Sequence, residues 1–148
     1  MMGNIGLVWK LSRDTRTSLE RGDSMDTREQ AKQQYVNSAI LNKRAATGGD
    51  SRTANKHARI VKRITDKMRD GRIDKSILVE LLTHEEISVR TLAAVDLLRM
   101  KHEVPKAAAV LAEIAGMDET GKRIDEKISI MAAGYQLRHW EETGSAIQ

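Results

Sequence analysis

From Asp26 onward, apolar residues of the 148-residue chain recur at the three- and four-residue spacing of helices, and no stretch alternates like a strand. The densest segment is "EEISVRTLAAVDLLRM" (85–100), which is apolar at almost every helical angle apart from Arg90 and Asp96. A helix apolar all round is a buried one. Neither charge can be buried unpaired without a cost of several kcal/mol, so Arg90 is expected to bond a neighbouring carboxylate or turn carbonyls.

Start and stop signals divide the rest. Asp26 with Glu29 resembles a capping box opening a helix that runs to about Ala46. "TGGDS" (47–51) breaks it, and Asp50 or Ser51 caps a second helix that runs to Gly71. A short helix follows Asp74. Thr83 with Glu86 reads as another capping box, opening the apolar helix. Pro105 occupies a first-turn position ahead of "KAAAVLAEIAGM", and "DETG" (118–121) precedes a long last helix ending near Gly144. Six helices with short connections pair as three antiparallel hairpins. This predicts an all-α fold, a short α-solenoid with the fourth helix at its centre.

Within "LVELLTHEEISVRTLAAVDLL" (78–98), the Leu-Leu, turn, Val-Arg, Ala-Ala, Leu spacing resembles a HEAT-type repeat. Taken with "GDSRTANKHARIVKRI" (49–64) and "AAAVLAEIA" (107–115), residues from about 30 to 142 resemble an uncharacterised bacterial family of small HEAT-like helical domains. The resemblance implies the fold and brings no activity with it. Residues 25–148 are therefore read as one HEAT-like domain. Residues 1–24 lack periodicity and are expected to be loosely ordered or non-native, since "ERGDSM" (20–25) is what a ribosome-binding site ahead of a start codon at Met25 would encode.

Composition narrows the core and the compartment. There is no cysteine, which excludes disulfides and thiolate chemistry, and no phenylalanine. The aromatics are Trp9, Tyr35, Tyr135 and Trp140, so the core must be aliphatic. Ile5–Trp9 is too short for a signal sequence or membrane span, and Leu7 stands where a myristoylation pattern at Met2-Gly3 wants Ser or Thr. A soluble, cytoplasmic protein is expected. Its charge is uneven: residues 51–75 carry nine Lys or Arg against three Asp or Glu, whereas 76–148 carry eight against twelve. That layout suggests two different surfaces rather than a uniformly basic binder.

Motifs for catalysis are weak. "GMDETGKR" (116–123) has phosphate-loop spacing, but Arg123 replaces the Ser or Thr that would hold magnesium, and a helix precedes it instead of a strand. "HEE" at His84 lacks the second histidine of a zinc motif, because Ser88 stands there. His57 and His139 lie on or beside apolar stripes, as satisfied core histidines do. No catalytic residue, metal ligand or cofactor is expected.

Two surfaces carry the functional expectation. Arg52, Lys56, Arg59 and Arg63 fall within about 60° of one face of the second helix. The last helix has two apolar stripes: Ile124, Ile128, Met131 and Tyr135 on one side, and Ile130, Ala133, Leu137 and Trp140 roughly opposite. The expected function is a non-enzymatic protein–protein interaction module, of adaptor or immunity type. It would meet its partner through the four cations or through Ile130, Leu137 and Trp140, with a homodimer through the last helix as a further option. The alternative is phosphate or nucleic-acid binding on the basic face.

Overall fold

The structure, a computed structural model, describes residues 23–147. Among them are six α-helices and no strand: α1 Asp23–Thr47, α2 Ser51–Arg69, α3 Ser76–Leu81, α4 Ile87–Met100, α5 Val104–Ala115 and α6 Ile124–Thr143. The fold is all-α. The chain divides within α1, after Gln33, and the unit from Gln34 onward holds the rest of α1 and the other five helices. Most of the segment 1–24 lies outside the described residues; Asp23 and Ser24 belong to α1. No helix among the described residues is long and apolar enough to cross a membrane.

Local chemistry sets most of the boundaries. The Asp50 carboxylate accepts the Thr53 N–H at 3.1 Å and caps α2, satisfying a donor that no helical carbonyl can reach. Asp74 accepts the Ser76 N–H at 2.9 Å ahead of α3. Pro105 sits in the first turn of α5, and Gly144, at φ 71°, closes α6 in the left-handed conformation that glycine adopts without steric cost. Two sequence readings fail. Asp26 lies inside α1, not at its cap, and the Thr83 hydroxyl turns back to the Glu80 carbonyl at 3.1 Å instead of capping α4. Glu86 itself is the N-cap residue of α4, with no side-chain bond to the helix, because its carboxylate is taken by two arginines.

The core gathers on α4, where ten of fourteen residues are buried. The helix packs against α3, α5 and α6, so its all-round apolar character is matched by neighbours on several sides. Tyr35 reaches it from α1: the fully buried hydroxyl donates to Asp96 Oδ2 at 2.7 Å, while Arg99 Nη1 donates to Oδ1 at 3.2 Å. Burial pushes the Asp96 carboxyl above its ordinary range, and the Tyr35 and Arg99 donors pull it part of the way back. Arg90 donates to the His84 carbonyl at 3.0 Å in the α3–α4 turn, the structural role its position predicts. Between α1 and α2, Asn42 Nδ2 donates to the Ala54 carbonyl at 2.8 Å, and the Ser38 hydroxyl lies 3.2 Å from His57 Nδ1.

Candidate interaction surfaces on α2 and α6

Helix α2 is strongly two-sided. Ala54, Val61, Ile64, Thr65 and Met68 are buried, following the i, i+3, i+4 rule. Arg52, Lys56, Arg59 and Arg63 lie on the opposite side, and all four are exposed. None of them forms an ion pair or side-chain hydrogen bond with another described residue. Three neighbouring cations behave differently. Lys62 and Arg69 both hold Asp66, at 2.9 and 3.3 Å, and Arg72 holds Asp70 at 2.7 Å. Those partners draw the two carboxylates below their ordinary range, each chiefly through its closest cation. The acidic residues that extend the basic face are thus already occupied, and the four-cation row is left open.

Beside this face, α1, α2 and α4 enclose a half-open cleft of about 310 Å³. Ala58, Val61 and Leu92 supply apolar walls, Asp96 is among the lining residues, and Lys62, Arg69 and Arg99 add positive charge.

Helix α6 resolves the choice between its two stripes. Ile130 is only 4% exposed and Ala133 is fully buried, so this stripe faces the core, with Leu137 and Trp140 half-buried. The expectation that Ile130 offers a docking surface is corrected accordingly. The opposite stripe is the open one, with Ile124 67%, Met131 54% and Tyr135 57% exposed. The small residues Ser129 and Ala133 are fully buried on this side, and Asp125 is held by Arg123 at 3.0 Å. Arg123 also reaches Glu86 at 3.2 Å, and Arg44 meets the same carboxylate at 3.2 Å. Residues on α1 and ahead of α6 therefore converge on Glu86, at the start of α4.

The remaining sequence candidates make contacts within the chain. The 116–123 segment is a connection between α5 and α6 in which Asp118 Oδ1 accepts the Thr120 N–H at 3.0 Å, and Arg123 is committed to carboxylates. His57 is held by Ser38, and His139 Nδ1 lies 2.8 Å from the Ser145 carbonyl.

Compared with family models, curated proteins and solved structures, the chain matches none.

Proposed function

We propose that the chain is a non-enzymatic protein-interaction module, a HEAT-like stack of three helical hairpins that captures an acidic partner on the exposed face of α2. One observation carries this reading: four cations lie in a row with no counter-charge among the described residues, whereas Arg44, Arg69, Arg72, Arg99 and Arg123 all hold carboxylates. Helix stability does not account for them. Arg52 stands in the first turn of α2, which holds no acidic residue, and the helix macrodipole disfavours cations there. The four-, three- and four-residue steps from Arg52 to Arg63 match the seam a partner helix presents. An acidic helix laid along that seam would meet all four cations.

Phosphate or nucleic-acid binding is the competing reading for the same face. It is disfavoured by the absence of an aromatic side chain on the row for base stacking, and by Asp66 and Asp70 at its end. Fluorescence anisotropy with two probes separates the readings: a helical peptide with glutamates at the matching spacing, and a duplex DNA of similar length. The peptide should bind the full chain, and Arg59→Glu/Arg63→Glu should abolish binding. Binding of the DNA alone, with a log–log salt slope of about −3 to −4 for four neutralised phosphates, would give the face to nucleic acid. Failure of both probes to bind would remove the interaction reading of α2.

A further inference from the structure

Among the described residues five large apolar side chains are exposed, and three of them, Ile124, Met131 and Tyr135, share one stripe of α6. With half-buried Ile128 the stripe steps by four, three and four residues, the spacing of a coiled-coil seam. It borders a groove of about 390 Å³ whose lining includes Ala115 and Gly134. Gly134 lies at the edge of the seam, halfway along α6. A Cβ built there would meet only the Ala115 Cβ, at an ordinary 3.8 Å, so packing within the chain does not demand a glycine. A mid-helix glycine weakens the helix, and what it offers in return is close approach of another backbone.

The charges along this edge complete the pattern. Lys127, Gly134 and Glu141 follow one another at seven-residue intervals on the same flank of the seam. Lys127 and Glu141 are exposed, and neither pairs with another described residue. They are too far apart along one helix to meet each other, at about 21 Å of rise.

We propose that α6 docks against α6 of a second copy of this chain, antiparallel about a two-fold axis beside Gly134. In that arrangement Gly134 faces its counterpart, Met131 packs on Tyr135 of the second copy, and Lys127 meets Glu141 of the second copy. Two-fold symmetry repeats every contact, so the dimer holds two such pairs and each unpaired charge gains one partner. A parallel pairing sets Lys127 beside Ala132 and Glu141 beside Ala146, and satisfies neither. The seam offers few apolar residues per copy, which places the contact below the size of stable complexes. The dimer is weak and reversible, with dissociation in the micromolar range or above.

Sedimentation equilibrium of the full chain over micromolar to millimolar concentrations tests this. The expected result is a monomer–dimer equilibrium weakened about tenfold or more by Lys127→Glu or by Glu141→Lys, since each single reversal disrupts two pairs. The double variant Lys127→Glu/Glu141→Lys should restore dimerisation, which only the antiparallel register predicts. Because the chain has no cysteine, Gly134→Cys should cross-link to a disulfide dimer under mild oxidation, whereas Glu113→Cys, exposed on α5, should not. Circular dichroism of each variant confirms folding. A chain that stays monomeric throughout overturns the proposal. So does a dimer indifferent to the charge reversals, or a double variant no better than the single ones.

Discussion

Replacing Tyr35 by phenylalanine isolates one buried interaction without opening a cavity, because the ring stays and only the hydroxyl goes. That hydroxyl is fully buried and donates to Asp96 Oδ2 at 2.7 Å across 61 residues of sequence. A hydrogen bond to a charged group contributes about 1.5–3 kcal/mol, and the carboxylate oxygen left behind is buried without that donor. Arg99 keeps its 3.2 Å bond to Oδ1, which sets the expected loss near the middle of the range, about 2 kcal/mol. For a domain of this size that lowers the melting temperature by about 6 °C. Urea unfolding followed by circular dichroism reads it as a lower midpoint with an unchanged slope.

The pH dependence has a definite sign. Burial raises the folded-state Asp96 pKa above its unfolded value. A carboxyl raised in this way contributes stability that is fully present below the unfolded pKa and is lost as pH rises through the folded one. Tyr35 opposes the rise by bonding the ionised form, so Tyr35→Phe lifts the Asp96 pKa further. The gap between wild type and Tyr35→Phe should therefore be small in acid, where both carboxyls are protonated, and widen as pH rises through the folded-state pKa of Asp96. In an Asp96→Asn background, where no charge remains, the same substitution should cost about 1 kcal/mol. Wild-type stability for Tyr35→Phe at neutral pH, or a loss that does not vary with pH, refutes the assignment.

Two smaller predictions concern local rules that the fold breaks. Lys101 closes α4 at φ 53°, a left-handed conformation that costs a non-glycine residue about 1 kcal/mol, so Lys101→Gly should stabilise the chain by about 0.5–1 kcal/mol in urea unfolding; no gain means the turn tolerates the side chain freely. Ser129 is fully buried on α6 and its hydroxyl has no hydrogen-bond partner among the described residues. Ser129→Ala should raise stability by about 1 kcal/mol, and a loss of stability would reveal a bond the hydroxyl makes.

What the sequence disclosed were features whose cause is local. Asp50, Pro105 and Gly144 act within a turn of their own position, and the apolar surround of α4 is a property of its own residues. The failures have distant causes. Thr83 and Glu86 have capping-box spacing, yet the Glu86 carboxylate is claimed by Arg44 and Arg123, which lie 42 and 37 positions away. The partner of Asp96 is equally invisible from its surroundings. On α6 a helical wheel shows two apolar stripes with nothing to rank them, because the choice depends on which side α4 and α5 occupy. Size does not separate them either: Ala133 on the buried side is small, but Ile130 there is as large as Ile124 on the open side.

Residues that weaken their own element and gain nothing within the fold are the strongest guide to function in this chain. Arg52 opposes the α2 macrodipole, and no described carboxylate meets it or Lys56. Gly134 weakens the middle of α6 although a side chain would fit beside Ala115. Ile124, Met131 and Tyr135 keep large apolar surfaces in water. Asp96 also breaks a rule, but Tyr35 and Arg99 compensate it inside the molecule, and it is accounted for as structure. The exposed residues of this kind fall on α2 and α6, whereas ten of the fourteen residues of α4 are buried. Sequences break local rules where another demand acts on them. On the two proposals, α2 would be read through its charge and α6 through its apolar seam, by different partners. Losing one contact should therefore leave the other intact, a separation that the α2 charge reversals and the α6 variants measure in the same protein.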